Sequence, residues 1–168
     1  ESNGYPGGKL SMFTKDGYQF DEGPSLFTQP NNIKELFKAA GEPMEDYLVY
    51  RPVAIACKYF FENKKVINAY TVASSFAKEL EEQTGEPAKN VTAYLQRADK
   101  LYRNIGTIFL NYSLHKRATW LHRRVFEALK SLRIAYLLNN MNSYNSKRFK
   151  TPEAVQIFNR FATYNGSN

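Results

Sequence analysis

Cysteine is all but missing from this chain, with Cys57 the single thiol among 168 residues. One thiol excludes an internal disulfide and any cysteine-rich metal centre, which suits a reducing compartment. Histidine is nearly as scarce. His115 and His122 could share a face of an unbroken helix, but no cysteine or carboxylate at ligand spacing completes a set, so no metal is expected. No apolar run approaches the roughly 18 residues that a spanning helix needs, and no signal-peptide pattern is present. If a membrane is involved, the chain is expected to lie on it. A nucleophilic hydrolase is equally unsupported, because no Gly-x-Ser-x-Gly elbow exists and Cys57 sits in an apolar, strand-like run.

Acidic residues are abundant in the first half and scarce in the second. Residues 1–86 carry nine Lys or Arg against thirteen Asp or Glu, whereas residues 87–168 carry fourteen against three, a net charge of +11. The basic half points to an anionic partner such as lipid or nucleic acid, or to a well-solvated helical surface. Tyr102, Phe109, Tyr112, Trp120, Phe126, Tyr136, Tyr144 and Phe149 are interleaved with its cations. Such aromatics serve a core first, an interfacial membrane surface second and unpaired bases last. Glu79, Glu81, Glu82 and Glu86 cluster in the acidic half and read as a solvated helix face.

The pattern predicts a mixed α/β front and a helical back. Asp16-Gly17 between two short apolar runs is a tight hairpin turn. Asn31 or Asn32 is expected to cap a helix through Ile33, Leu36, Phe37 and Ala40, ended by Gly41. Two strands follow, near Val53 to Phe61 and Lys65 to Ala69, joined at Glu62-Asn63-Lys64. A helix through Phe76 and Leu80 ends at Gly85-Glu86-Pro87. Asn90 is a candidate cap for the next helix, with Val91, Tyr94, Leu95 and Ala98 on one face. A further helix is expected over Ala118 to Leu138, its stripe formed by Leu121, Val125, Leu129, Leu132 and Tyr136. In the last helix Thr151 caps, Pro152 starts, and Val155, Phe158 and Phe161 face inward.

The most telling order lies near the start, where Glu1 precedes Tyr5-Pro6-Gly7-Gly8-Lys9-Leu10 and then Phe20-Asp21-Glu22-Gly23-Pro24-Ser25. Two adjacent glycines give a side-chain-free backbone that a phosphate or ring can approach, although Pro-Gly-Gly is also an ordinary turn. This order resembles the carotenoid desaturases, the phytoene desaturase group of FAD-dependent oxidoreductases. The resemblance continues through Leu26-Phe27-Thr28 and Met44-Glu45-Asp46-Tyr47, and returns in Phe158 to Asn168.

The resemblance implies an α/β fragment: a partial, Rossmann-like FAD-binding region over residues 1–70, then a mainly helical substrate- and membrane-facing region over 71–168. The Gly-x-Gly-x-x-Gly turn of such a domain is not in the sequence, so the chain is expected to begin inside a domain. By similarity, Glu1 takes the adenosine ribose, Gly7, Gly8 and Lys9 border the pyrophosphate and flavin, and Gly23, Pro24 and Ser25 lie near the isoalloxazine edge. Arg160, Tyr164 and Asn165 fall near the substrate cavity. No catalytic acid or base is named. The implied activity is desaturation of a carotenoid precursor such as phytoene by hydride transfer to FAD, at the cytoplasmic side of a membrane as a peripheral protein. Two other readings stand beside it: an amine-oxidase-type flavoprotein with a smaller substrate, and a non-enzymatic basic helical module binding membrane or nucleic acid.

Overall fold

In the computed structural model, the described residues are 4, 7–23, 27–106, 108, 110, 112, 113, 115–123, 125, 127, 128 and 139–165. They form two compact units, Glu1–Pro52 and Val53–Asn168. The β3–β4 hairpin thus shares its compact unit with the helices that follow, while the sequence-based division at residue 70 separates regions by inferred role.

The first unit opens with strands β1 (Met12–Lys15) and β2 (Tyr18–Asp21), paired antiparallel with Phe13 opposite Phe20. Asp16 and Gly17 both have positive φ, at 52° and 81°, as a two-residue turn matching the strand twist demands. Cross-strand stacking of Phe13 on Phe20, with centroids 5.0 Å apart, reinforces the register. Helix α1 (Pro30–Ala40) ends at Gly41 in the left-handed region, as expected. Its start differs from the expected asparagine cap. Pro30 takes the first helical position and Gln29 precedes it with φ 54°, because proline's fixed φ and missing N–H suit that position. Among the described residues of this unit only Met44, in a short 3-10 turn (Met44–Asp46), is buried.

The second unit starts with strands β3 (Ile55–Phe60) and β4 (Val66–Tyr70), antiparallel and close to the predicted spans. Helix α2 (Ala73–Thr84) closes on Gly85 in the left-handed region, and α3 (Ala88–Leu101) follows at once. A π-helical turn covers Tyr102–Gly106, and α4 is a single turn, Arg117–Trp120. Helices α5 (Met141–Ser146) and α6 (Pro152–Asn159) complete the unit, with a 3-10 turn over Arg160–Asn165. Ile67, Phe76, Leu80, Val91, Phe149, Ile157 and Phe158 form its core. Phe149 stacks on Phe158 at 4.6 Å, and Tyr94 leans on Phe158 at 4.5 Å.

Four expectations need correction. The acidic cluster is only partly a solvated face: Glu86 is 0% exposed and Glu79 is buried. Glu86 accepts hydrogen bonds from the amides of Lys150 (2.6 Å) and Thr151 (2.9 Å), from the Thr151 hydroxyl, and from Asn90 Nδ2 (2.8 Å). Glu79 accepts from the backbone and side-chain nitrogens of Asn68, both at 2.9 Å. Burial of a carboxylate is tolerated where donors converge on it. Asn90 is therefore a Glu86 ligand inside α3, not its cap; Pro87 precedes that helix. Phe161 is 49% exposed, because the backbone tightens into the 3-10 turn at Arg160 and the helical stripe stops at Phe158. Leu121, expected to head an apolar stripe, is 78% exposed just past α4, while Val125 is buried; Leu129, Leu132 and Tyr136 lie outside the described residues.

The aromatics of the basic half divide between roles. Phe149 is core, Tyr144 and Tyr112 are half-buried, and Tyr102 and Trp120 are about half exposed. Phe109, Phe126 and Tyr136 lie outside the described residues.

Two predictions follow from this packing. Glu86→Ala removes the shared acceptor of the Lys150 and Thr151 amides and of Asn90, each hydrogen bond to a charged group contributing about 1.5–3 kcal/mol, so the denaturation midpoint of the full-length gene product should fall; an unchanged midpoint would refute a stabilising role for Glu86. Glu153 meets Lys65 at 2.7 Å, and the hydrogen bond from Lys65 holds its carboxyl below the usual range. A depressed carboxyl pKa adds stability above the unfolded-state value, and that increment disappears as pH falls through the folded-state value. Lys65→Met should therefore destabilise the protein at neutral pH and hardly at all at the acidic end of that window, as read by thermal melts across pH.

Candidate functional site

In the first unit the hairpin continues past its strands, with Glu22 N–H donating to the Ser11 carbonyl at 2.8 Å and Ser11 Oγ to Glu22 Oε2 at 3.2 Å. This extension brings Gly23 against the Lys9-Leu10 backbone. A Cβ at Gly23 would lie 2.5 Å from the Lys9 carbonyl oxygen and 3.1 Å from Leu10 Cα. Only glycine lets these two segments pass so closely. Gly7 and Gly8 both hold positive φ, 119° and 58°, in a turn closed by Leu10 N–H donating to the Gly7 carbonyl at 2.9 Å. Lys9 is exposed beside them. The sequence-predicted Gly7, Gly8, Lys9 and Gly23 thus converge at the base of one hairpin. Glu1, Pro24 and Ser25 lie outside the described residues.

In the second unit the predicted Arg160 stands at the junction of α6 and the 3-10 turn. Its Nη1 donates to Tyr59 Oη at 3.1 Å and approaches Cys57 Sγ at 3.8 Å, with the guanidinium 5.5 Å from the Tyr59 ring centroid. Cys57 and Tyr59 alternate onto the same face of β3, which is half-buried. Burial raises the Tyr59 phenol above its ordinary pKa, the Cys57 hydrogen bond adds to this, and Arg160 opposes it. The phenol remains a neutral hydrogen-bonding group at neutral pH. Sequence reading named Arg160 and missed Tyr59, although strand alternation with Cys57 carried the signal. For Tyr164 and Asn165 the structure describes the backbone, which continues the 3-10 turn.

A family profile of flavin-containing amine oxidoreductases matches residues 1–167. The chain belongs to that family. Among curated proteins, the family member is 37% identical over 169 residues to a 1-hydroxycarotenoid 3,4-desaturase of Flavobacterium sp. (strain P99-3), covering 100% of this chain and 34% of the relative. It is 29% identical over 168 residues to a 4,4'-diapolycopene oxygenase of Methylomonas sp, covering 100% and 33%. A 4,4'-diapophytoene desaturase of Staphylococcus haemolyticus (strain JCSC1435) is 28% identical over 116 residues, 69% of this chain and 23% of the relative. The chain spans about a third of the length of the first two.

The family's cofactor is FAD, and the residues at the hairpin base fit it. Paired positive-φ glycines leave backbone open to a phosphate, and an exposed lysine supplies positive charge. Gly23→Ala should part the two segments and lower the flavin content of the purified full-length gene product several-fold. Gly4→Ala is the control, because a Cβ there meets nothing within 4 Å. Equal flavin content in both variants would detach the hairpin base from cofactor binding.

Proposed function

We propose that the chain forms part of an FAD-dependent enzyme that desaturates a carotenoid precursor such as phytoene. The observation that carries this reading is the convergence of Gly7, Gly8, Lys9 and Gly23 at one hairpin base, in a chain matched end to end by a carotenoid desaturase and a carotenoid oxygenase. Bound FAD supplies hydride acceptance, which turns a saturated carbon pair into a conjugated double bond once a neighbouring proton leaves.

The protein's part is binding, orientation and exclusion of water. In this reading residues 1–70 belong to a Rossmann-like FAD-binding region and 71–168 to a mainly helical, substrate- and membrane-facing region. Glu1 holds the adenosine ribose, Gly7, Gly8 and Lys9 border the pyrophosphate and flavin, and Gly23, Pro24 and Ser25 lie close to the isoalloxazine edge. Arg160, Tyr164 and Asn165 belong to the substrate region, and Tyr59 joins them by holding the Arg160 guanidinium. A long polyene resides in a bilayer, so peripheral docking through the basic half is part of the same proposal; among the described residues no helix is long and apolar enough to cross a membrane.

The test is expression of the full-length gene product in a host that accumulates phytoene, followed by pigment extraction. The expected outcome is absorption moving to longer wavelength as conjugation lengthens. A flavin-loaded protein that leaves phytoene and longer carotenoids unchanged while oxidising an amine would replace this reading with the smaller-substrate one.

A further inference from the structure

We infer that the turn from Ser113 to Arg123 is a docking wedge for the headgroup layer of an anionic bilayer, with Trp120 and Leu121 as its apolar tip. This inference rests on the docking part of the reading above and deepens it, because it names the element that meets the lipid.

The turn is built the opposite way from a core element. Thr119 is 7% exposed, whereas Trp120 is 49% exposed and Leu121 78%. A buried hydroxyl needs a partner, and Thr119 Oγ1 donates to the Ser113 carbonyl at 2.7 Å. The same carbonyl accepts from the Lys116 N–H at 3.2 Å, and the Thr119 N–H donates to the Lys116 carbonyl at 3.0 Å. On the far side the Val125 N–H donates to the His122 carbonyl at 2.9 Å, and Val125 packs in a small core with Ile108 and Ala128. The single turn α4 is thus pinned on both flanks. Holding Thr119 inward leaves the next two side chains on the outside.

Around that tip the charge is one-sided. From Ser113 to Phe126 the sequence carries Lys116, Arg117, Arg123 and Arg124 and no Asp or Glu. Lys116, Arg117 and Arg123 are exposed, and the next carboxylate along the chain, Glu127, meets Arg123 at 3.0 Å. An indole and a leucine side chain leave water by entering the acyl boundary, while cations beside them stay at the depth of the lipid phosphates. Tryptophan suits that boundary, since its ring is apolar and its N–H can meet a headgroup. A single-stranded nucleic acid matches the cations and the indole but offers nothing to Leu121, the more exposed of the two. An anionic bilayer matches all three.

The experiment sediments the full-length gene product with vesicles of phosphatidylcholine alone, or of phosphatidylcholine mixed with phosphatidylglycerol, across a salt series. Lys116→Gln combined with Arg117→Gln should weaken binding to the anionic vesicles about twentyfold at low salt and change it little at high salt. Leu121→Gln should weaken binding to both vesicle types about fivefold at every salt concentration. Leu36→Gln is the control, because Leu36 is 64% exposed on α1 and lies outside the wedge. Both leucines face water, so unchanged denaturation midpoints are expected for both variants. Quenching of tryptophan fluorescence by brominated acyl chains should be smaller in Trp120→Phe than in the unaltered protein. Equal effects of Leu36→Gln and Leu121→Gln on vesicle binding would overturn the wedge, as would tighter binding to a single-stranded oligonucleotide than to anionic vesicles. Phytoene conversion, measured in parallel, separates the two proposals: conversion with vesicle binding indifferent to these substitutions removes the wedge alone, whereas the expected binding pattern without conversion removes the polyene reading and leaves the wedge.

Discussion

One buried carboxylate sets the geometry of the second unit. Helix α2 stops at Gly85 in the left-handed region, which turns the chain so that Glu86 points into the interior instead of continuing an exposed face. Its oxygens then meet Lys150 and Thr151, 64 and 65 residues away in sequence, at the start of α6. The amides of Lys150 and Thr151, just ahead of the first helical residue Pro152, need acceptors, and here a distant side chain provides one for both. This explains why Thr151, placed as a cap, makes no side-chain capping bond: its hydroxyl is directed at Glu86 and Thr84. Fixing the start of α6 fixes its end as well, and Arg160 sits there over Tyr59. Arg160 is thus positioned by a carboxylate that touches no part of it.

Local chemistry explains what could be read from the sequence. Asp16-Gly17 is legible because a two-residue hairpin needs two positive φ values, and Gly41 and Gly85 are legible because helix ends favour the left-handed region. Helix α1 begins two or three residues earlier than expected because the proline at its first position outweighs the asparagines behind it. Glu86 and Asn90 were misread for a different reason. A buried acid and a solvated one look identical in sequence when the donors lie on a segment some sixty residues on. Phe161 belongs to the same class, since the change from 3.6 to 3 residues per turn at Arg160 leaves no mark in composition.

Gly23 shows how a fold requirement and a proposed ligand requirement coincide. The contact that excludes a Cβ there is the chain's own Lys9 carbonyl, so this glycine is demanded before any cofactor is considered. The consequence is still functional in the reading proposed here. Holding the two segments at that separation keeps the Gly7-Gly8 turn and Gly23 at the same end of the hairpin, where the proposed cofactor would meet backbone rather than side chains.

The charge asymmetry bears on the membrane part of that reading. The basic half has three carboxylates, and each already meets a cation: Asp99 with Arg103 at 2.9 Å, Glu127 with Arg123 at 3.0 Å, and Glu153 with Lys65 of the preceding half. The first two pairs are one helical turn apart and well exposed, where such pairs contribute little to stability. Fourteen cations against three carboxylates therefore leave this half with a net charge of +11 before pairing with the preceding half is counted. Net charge of this kind weakens a compact state by self-repulsion, and an anionic surface nearby relieves it. Exposed Tyr102, Trp120 and Leu121 lie in the same stretch of chain and add an apolar contribution that salt would not screen. Solvated charge accounts for the cations, and in the proposed reading interfacial docking would give the exposed apolar side chains among them a role as well.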